Sequence, residues 1–422
     1  MSAGGSPRHF VFVESNTTGT GRLVVEQIAG EGHFVTFLAR RPEIYPFLRE
    51  LPAVEVRTLE TNDLAALDAG VRAVAAGRPL DVLVTFSDYY VPLVAEVAAR
   101  HGLRYLAPDA ARACRNKIAT RRALRAAGLP VPDFWILSSR AEALGIARSL
   151  PYPCVVKSPF EGSSKGVLQV GDAAELLAHF DTLHGWKANA RGQALSGEVL
   201  VESLLQGPEF SVETVTLGAG RTHVAGVTTK YLSAPPLFVE IGHDFPCARP
   251  AATPADIAAL AAAACAALAA VGFDFGPAHT ELRLTPSGPV VVEINPRLAG
   301  GMIPELVRLA TGVDLLAAFL SQLAGEEPVL APSRAEHAAI RFLIAPAEGT
   351  LAGVEGLEAA RRLPAVREVA IAKPLGARVR PAEEATDRVG YVIAAGPDRR
   401  EVRDQVEQAH RLIRLAVEPA AS

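Results

Sequence analysis

The sequence predicts an α/β unit at the N-terminus, followed by regions of mixed α+β structure. The first hundred residues alternate apolar strands with helices, as in FVFVES, a helix through Ile28, and FVTFLA. The segment from Asp81 repeats this order, with the strand DVLVTF and a helix that ends at Gly102. Such alternation is typical of a parallel sheet. After Pro332, short strands and a final amphipathic helix indicate a small α+β cap.

A chain of 422 residues is too long for a single core and favours about three packed units. We expect a Rossmann-like unit, a central unit in two parts, and a C-terminal α+β unit, spanning residues 1–111, 112–330 (divided into 112–196 and 197–330) and 331–422. The turn Thr18–Gly21 lacks the third glycine of a dinucleotide fingerprint, so a dinucleotide cofactor is not expected.

Composition excludes several classes of function. The net charge is −4 and no Lys/Arg-rich run occurs, so we expect no nucleic-acid partner. The four cysteines form no CxxC pair, which argues against a zinc ribbon or a disulfide framework and favours the reducing cytoplasm. The apolar run Ile257–Val271 is shorter than the roughly 20 residues that cross a bilayer, so no membrane partner is expected. Small-molecule substrates remain, and a homodimer is allowed.

The segment HTELRLTPSGPVVVEINPR is the most informative part of the chain. A three-residue loop at 286–288 gives these cross-strand pairs: Glu281 with Glu293, His279 with Asn295, and Arg283 with Val291. The other face is then wholly apolar, as a strand pair on a core requires: Leu282, Leu284, Val290, Val292 and Ile294. Two carboxylates directly opposite each other repel, so a positive charge is expected beside them.

Glu281, Glu293 and Asn295 offer oxygen ligands without histidine or thiolate. With positions left open for water and phosphate, such a set suits magnesium that is bound through a nucleotide. The alternative is a solvated hairpin face on which Arg283 neutralises a carboxylate.

Two lysines and a small loop could bind phosphate. Lys157 ends the apolar strand CVVK, from which its side chain can reach a phosphate oxygen. The loop EGSSKGV, residues 161–167, could cover a triphosphate with its backbone N–H groups and hydroxyls, or be an ordinary turn. Lys117 begins a helix and by itself is indistinguishable from a surface lysine.

Five ordered segments resemble the ATP-grasp superfamily, over about residues 112 to 325. They are NKIATRRALRAAGLPVP, PCVVKSP, EGSSKGV, VESLLQGPEFSVE and GPAHTELRLTPSGPVVVEINPRLAGG. The resemblance implies a Rossmann-like N-terminal domain, then an ATP-grasp fold, with the small α+β cap at the C-terminus. It also implies binding of ATP with Mg²⁺, or Mn²⁺ as an alternative.

The resemblance implies roles for individual residues. Those of the nucleotide site would be Lys117, Lys157, Glu161, Ser163, Ser164, Lys165, Glu202, Leu204 and Glu209. The metal would be held by Glu281, Glu293 and Asn295. The catalytic residues would be Lys157, Arg297, Gly300 and Gly301.

Arg297 shares the strand parity of Glu293 and Asn295, so its guanidinium can face a transferred phosphoryl group. Gly300 and Gly301 leave backbone N–H groups free for a carboxylate or an oxyanion, although LAGG could also be a plain strand-to-helix turn.

Within the superfamily, the run TTKYLSAPPLFVEIGHDFPC is similar to the corresponding part of L-amino-acid ligases that make dipeptides. Glu240 and His243 would face the amino-acid substrate there, together with Arg297, Gly300 and Gly301. A carboxylate at that place attracts an ammonium group, and a histidine can assist proton transfer. The loop 161–167 corresponds to the lid over the ATP site in this superfamily. It has Ser163 and Ser164 where the lid of many relatives is richer in glycine.

The function that this resemblance implies is an ADP-forming carboxylate–amine ligase. An L-amino acid is the expected carboxyl substrate, and an acyl phosphate the expected intermediate. Two alternatives remain open: a biotin carboxylase-like or purine-biosynthetic enzyme that activates bicarbonate or formate, and a non-catalytic nucleotide-binding protein.

Overall fold

The computed structural model describes residues 6–16, 20–218 and 220–419. Thr18 and Gly19 of the glycine turn considered above lie outside the described residues. Within the described ranges, no single helix is both long enough and apolar enough to cross a membrane, and one pair passes that test only when joined across a bend of 103°, Ile303–Thr311 with Leu315–Leu323.

A four-stranded parallel sheet forms the N-terminal layer, as the alternation predicts. Its strands are β1 (His9–Val13), β2 (Phe34–Ala39), β3 (Val54–Thr58) and β4 (Val82–Val84), in the order β3-β2-β1-β4. The helices are α1 (Thr20–Gly30), α2 (Leu64–Gly77) and α3 (Val91–Arg100). All residues of β1 and β4 are buried, as expected of strands covered on both faces.

A smaller antiparallel sheet follows in the order β5-β8-β6-β7. Its elements are α4 (Pro108–Arg115), α5 (Lys117–Ala126), β5 (Phe134–Leu137), α6 (Arg140–Ile146), β6 (Cys154–Lys157), β7 (Leu168–Val170), α7 (Ala173–His184) and β8 (Val199–Ser203). Asn116 caps α5 by accepting hydrogen bonds from two backbone N–H groups of its first turn, which fixes where Lys117 begins the helix.

An eight-stranded sheet forms the centre of the molecule, in the order β13-β12-β9-β10-β11-β14-β18-β16. Its first half contains β9 (Glu209–Thr216), β10 (Thr222–Leu232), β11 (Glu240–Phe245), α8 (Pro254–Ala270), β12 (Gly276–Thr285), β13 (Gly288–Asn295), α9 (Ile303–Thr311) and α10 (Leu315–Leu323). The alanine-rich α8 begins as its sequence predicts, with Thr253 and Asp256 in a reciprocal capping box, and covers one face of the sheet.

The C-terminal residues extend this sheet by three strands and form a separate three-stranded sheet. They form β14 (His337–Leu343), β15 (Gly349–Glu355), α11 (Leu357–Arg361), β16 (Val366–Ile371), β17 (Arg378–Val379), β18 (Gly390–Gly396), α12 (Arg399–Leu412) and β19 (Arg414–Glu418). Because β14 pairs with β11, the sheet is continuous across the predicted boundary at residue 330. The final helix is amphipathic as predicted, with Val402, Val406 and Ala409 buried, and it ends at Leu412 because residues 414–418 pair with β15 as a strand.

The hairpin of β12 and β13 has the predicted acid pairing but a different loop. Its turn has two residues, Pro286 and Ser287, so Arg283 lies opposite Val290, and its predicted pairing with Val291 was wrong. A β-bulge at Val292 then restores Glu281 opposite Glu293 and His279 opposite Asn295. In consequence Val291, and not Val292, packs in the core with Leu282 and Ile294.

The loop between β8 and β9 yields a test of backbone packing. Gly207 has φ +126°, and a Cβ there would lie 2.0 Å from the Leu284 carbonyl oxygen. Gly128 also has positive φ, +72°, but a Cβ there would meet no described atom within 4 Å. We expect Gly128→Ala to cost about 1 kcal/mol and Gly207→Ala roughly 2–4 kcal/mol in urea unfolding followed by circular dichroism. Equal losses would contradict the clash.

Candidate active site

Polar residues occupy alternate positions on two neighbouring strands of the central sheet. They are, on β9, Glu209, Ser211 and Glu213 and, on β12, His279, Glu281 and Arg283. The register pairs Glu213 with His279, so these residues share one face. Between them, Phe210 and Leu282 point to the opposite face and pack against the core beneath α8. The sheet is therefore apolar on one side and ionic on the other.

Lys230 of β10 lies at the centre of the ionic face. Its Nζ is 2.9 Å from Glu209 Oε1, 2.9 Å from Glu240 Oε1 and 3.0 Å from Glu281 Oε1. The side chain is 1% exposed. Burial alone lowers the pKa of this ammonium, but the three carboxylates raise it well above its ordinary value. Of the two opposed acids, Glu281 thus has Lys230 as its positive neighbour, and Glu293 has Lys117.

Three further cations balance the cluster. Arg388 Nη2 lies 2.8 Å from Glu240 Oε2, and Arg283 Nη2 lies 3.2 Å from Glu209 Oε2. With His279, four cations then face four carboxylates, namely Lys230, Arg283, His279 and Arg388 with Glu209, Glu213, Glu240 and Glu281. Burial by itself raises the pKa of the Glu240 carboxyl, but Lys230 and its other neighbours lower it well below its ordinary value.

His279 connects the cluster to Glu213. Its Nδ1 lies 2.9 Å from Glu213 Oε1 and its Nε2 lies 3.1 Å from Glu281 Oε1. Burial opposes the charged ring, yet the two carboxylates raise the pKa of His279 to about 9. The imidazolium thereby holds Glu281 in place on β12.

Each of the two opposed carboxylates keeps one oxygen free. Glu281 uses Oε1 for Lys230 and His279, and Glu293 uses Oε1 for Lys117, at 2.8 Å. The Oε2 atoms of Glu281 and Glu293 bond to no described residue. The same is true of the side chain of the buried Asn295. No cluster of three or more His, Cys, Asp and Glu side chains suited to a metal occurs in the described part of the chain. The available donors therefore fit an ion that takes its remaining ligands from a nucleotide and water.

Lys117 links this pair to the lid. Besides Glu293, its Nζ donates to the carbonyl oxygen of Glu161 at 2.7 Å, and its backbone N–H donates to Pro159. The residue is 5% exposed, so it is not the surface lysine that its helix position alone would suggest.

Lys157 lies on the small sheet and contacts Glu202. Its Nζ is 2.7 Å from Glu202 Oε2, while Arg121 Nε lies 2.6 Å from Glu202 Oε1. Burial lowers the pKa of Lys157, Arg121 and Lys117 act in the same direction, and Glu202 opposes them. Burial raises the pKa of Glu202, but Arg121 and Lys157 bring it to about 2. Arg121 also donates to the carbonyl of the bulged Val292, so it joins the two sheets.

The lid residues differ in what they contact. Glu161 accepts from Tyr89 Oη at 2.7 Å and is buried, whereas Lys165 is 37% exposed and lies over the ring of Trp186. Ser163 and Ser164 have φ of +58° and +61°, in the left-handed region that favours glycine. Ser164 Oγ donates to Phe238 O, outside the lid, at 3.0 Å. This hydrogen bond compensates for a serine in a backbone conformation that favours glycine.

Two residues predicted for the nucleotide site, Leu204 and Glu209, flank the β8–β9 loop. Leu204 follows β8 directly and is partly exposed. Glu209 begins β9, and its two oxygens are bonded to Lys230 and Arg283. Any contact of Glu209 with a ribose must therefore share an oxygen already bound to a cation.

Arg297 forms a bidentate pair with Asp88 from the N-terminal unit. Nε lies 2.6 Å from Oδ1 and Nη2 lies 2.8 Å from Oδ2. Burial raises the pKa of Asp88, but Arg297 and the nearby Arg115 lower it overall. The same Arg297 edge would bind a phosphoryl or carboxylate group, so Asp88 competes with any anion for it.

The glycine loop follows Arg297 and leads into α9. Gly301 has φ +58°, and a Cβ there would lie 2.7 Å from His243 Nε2. The backbone N–H groups of Gly300 and Gly301 donate to no residue within the described ranges. The loop is thus a strand-to-helix turn that also retains the free donors expected of an oxyanion site.

Glu240 and His243 lie on one face of β11 although they are three residues apart. A β-bulge at Ile241 shifts the register against β10, since Leu232 pairs with Glu240 and Tyr231 with Gly242. The Glu240 Oε2 to His243 Nε2 distance is 3.6 Å. His243 is fully buried, and both its ring nitrogens lack a hydrogen-bond partner in the described structure. Burial lowers the pKa of His243, which leaves the ring neutral.

Sequence reasoning missed four residues of this site: Asp88, Arg121, Lys230 and Arg388. Lys230 could have been found, because it interrupts an otherwise neutral strand segment, TTKYL, between two strands that carry glutamates. The others come from distant segments and carry no local signal.

Comparison with known proteins identifies the family. An ATP-grasp domain model matches residues 150–305, and a model described as L-amino acid ligase C-terminal domain 2 matches residues 341–418. The sequence is also 30% identical to an uncharacterised Sinorhizobium fredii protein, y4rH, over 98% of this chain and 84% of that protein. The chain belongs to the ATP-grasp ligases, which form C–N bonds. The predicted ATP-grasp fold and ligase class are confirmed.

Two named relatives match this chain over shorter lengths. Identity is 30% with D-alanine–D-alanine ligase of Stutzerimonas stutzeri, over 49% of this chain and 64% of the relative. It is 30% with carnosine synthase 1 of Gallus gallus, over 62% of this chain but 29% of the relative.

Solved structures share the fold of this ATP-grasp ligase. L-amino acid ligase from Bacillus licheniformis superposes with a TM-score of 0.82 at 24% identity, over 97% of this chain and 99% of that one. A biotin carboxylase from Campylobacter jejuni superposes with a TM-score of 0.70 at 15% identity, over 97% and 92% of the two chains. Both likenesses establish architecture alone.

The imidazolium of His279 should make stability depend on pH. Its folded pKa, about 9, exceeds the ordinary 6.5, so its contribution is complete below pH 6.5 and is lost as pH rises through 9. The difference in unfolding free energy between wild type and His279→Gln should therefore narrow by roughly 1–3 kcal/mol over this range. Urea titrations at several pH values measure it. His410→Gln, on α12, is the control, and a constant difference for His279→Gln would contradict the assignment.

Proposed function

We propose that this ATP-grasp ligase transfers the γ-phosphoryl group of Mg²⁺-ATP to the carboxyl group of an L-amino acid, which releases ADP, and then joins the acyl group of this acyl phosphate to an amine, which releases inorganic phosphate. One observation carries the proposal: Arg297 and its glycine loop follow directly on the strand that bears Glu293 and Asn295, next to the partly exposed Glu240 and the buried His243. Anion binding, cation binding and a proton acceptor are thus available within one continuous surface.

The donor set fits a divalent ion that is shared with a nucleotide. Glu281, Glu293 and Asn295 would hold it through the oxygens that bond to no described side chain. When bound, Mg²⁺ would offset the negative charge of the phosphates. Lys117 and Lys157 would add positive charge on the side of the lid, and the backbone of the lid offers further N–H donors.

Activation of the carboxylate depends chiefly on Arg297. After Asp88 releases it, its guanidinium can bind the substrate carboxylate or the phosphoryl group with two parallel hydrogen bonds. Bringing these groups together removes much of the entropic cost of the reaction. The free N–H groups of Gly300 and Gly301 then suit the oxyanion that forms when an amine attacks the acyl carbon.

The amine must lose a proton as it attacks. His243 is neutral, has no hydrogen-bond partner among the described residues, and lies against Gly301, so it suits that role. Glu240 lies beside it and can attract the incoming ammonium group. Amino acids as substrates are further supported by the match of residues 341–418 to an L-amino acid ligase domain.

The proposal is tested by measuring ADP release with all pairs of common amino acids, followed by mass measurement of products. Wild type should release ADP and yield a dipeptide mass, whereas Glu293→Gln should reduce release at least about a hundredfold, because it removes a metal ligand. The amide can still accept the hydrogen bond of Lys117, so folding should be retained.

Glu358→Gln, an exposed residue of α11, serves as the matched control and should keep wild-type turnover. Unchanged turnover of Glu293→Gln would refute the metal assignment. ADP release that needs bicarbonate or formate in place of an amino acid would refute the substrate class.

A further inference from the structure

The C-terminal unit contributes a short segment to the proposed substrate pocket. Residues 384–388 lie just before β18, where the backbone N–H of Ala385 donates to the lid carbonyl of Ser163 at 3.4 Å. The segment ends at Arg388, whose side chain is 12% exposed and turns toward Glu240. One segment thus contacts both the lid and the residues that face the amine.

Only one edge of the Arg388 guanidinium is occupied. Nε donates to the backbone carbonyl of Glu240 at 3.1 Å, and Nη2 donates to its Oε2 at 2.8 Å. The opposite edge, formed by Nη1 and the second N–H of Nη2, donates to no residue in the described ranges. That edge has the geometry that binds a carboxylate through two parallel hydrogen bonds.

Contacts with an aromatic ring place Arg388 beside the pocket. Its Cζ lies 3.8 Å from the centre of the Phe342 ring, a cation–π contact. The same ring packs edge-on against His243 at 5.5 Å, and Gly301 lies against both rings. The unpartnered nitrogens of His243 therefore lie in a continuous wall with Arg388, and a buried imidazole without a partner indicates a missing ligand.

We propose that Arg388 binds the carboxylate of the amine substrate, so that the enzyme selects an acceptor α-amino acid over a simple amine. This inference rests on the ligase function proposed above. Glu240 and Arg388 place a negative and a positive group side by side. An α-amino acid carries the complementary pair, an ammonium group next to a carboxylate. The acceptor's amine then lies toward Glu240 and His243, and its carboxylate toward Arg388.

Charge balance explains why Arg388, and not Lys230, takes this role. The Nζ of Lys230 already has three carboxylate partners within 3.0 Å, one for each of its N–H groups, so it has no donor left for a ligand. Arg388 bonds to Glu240 alone, and Glu240 remains neutralised by Lys230 if a ligand draws Arg388 away. Only the outer cation can exchange partners without leaving a buried carboxylate unpaired.

The test compares acceptors that differ only in the negative charge of the α-carboxylate. L-amino acids and the matching L-amino acid amides are offered with a fixed carboxyl substrate, and products are measured by mass. Wild type should use the free acid with a kcat/KM at least roughly tenfold above that of the amide. In Arg388→Gln, kcat/KM for the free acid should fall roughly tenfold or more, mainly through KM, while the value for the amide stays within about twofold.

Two controls separate recognition from structural damage. The KM for ATP should not change in Arg388→Gln, and Arg380→Gln, which removes an exposed guanidinium that pairs with Asp387 close by, should keep the wild-type preference. Arg388→Lys should recover part of the preference, since it restores the charge without the fork.

The outcomes distinguish the two proposals. Equal losses for acid and amide acceptors in Arg388→Gln, or an unchanged ratio, would overturn the role of Arg388 and leave the ligase function standing. A wild-type enzyme that releases no ADP with any amino-acid pair would overturn the ligase function itself.

Discussion

The buried ammonium of Lys230 is the interaction on which the rest of the site depends. Three strands of the central sheet place Glu209, Glu240 and Glu281 around it, and these carboxylates could not lie so close together in a largely buried site without a cation. Because Lys230 sits on β10, between β9 and β11, it fixes the positions of acids that serve different parts of the proposed reaction. Glu209 of the predicted nucleotide site, Glu281 of the proposed metal site and Glu240 of the proposed amine pocket therefore share one counterion.

This arrangement explains why both predicted metal carboxylates pair with lysines and still retain a free oxygen. Glu281 and Glu293 each bind a lysine on one side, which orients the carboxylate and leaves its second oxygen on the open face. The lysines are anchored elsewhere, Lys230 by two further glutamates and Lys117 by the lid carbonyl of Glu161. A cation arriving with a nucleotide would thus meet ligands that are already oriented.

Much of the fold and part of the site could be predicted from sequence, because both follow from local periodicity. The parallel N-terminal sheet and the capped helix α8 follow from apolar patterns and capping residues. The pairing of Glu281 with Glu293 was correct although the loop was assigned three residues, since the bulge at Val292 compensated for the error. Periodicity contains no information about bulges, and the bulge at Ile241 is what brings Glu240 and His243 to one face.

The residues that sequence reasoning missed show what local sequence patterns cannot predict. Asp88 precedes α3 in the N-terminal unit and Arg388 precedes β18 in the C-terminal unit, yet each pairs with a residue of the central sheet, Arg297 and Glu240 respectively. Each pair joins segments more than a hundred residues apart, so no spacing within one segment could reveal it. Both pairs also share a chemical logic, because an internal charge holds the place that a substrate group of the same sign would take. Asp88 occupies Arg297 as a carboxylate substrate would, and Arg388 occupies Glu240 as an ammonium would. Without substrate, the charges of the pocket are therefore paired with residues of the flanking units, and in the proposed reaction substrate binding is an exchange of partners.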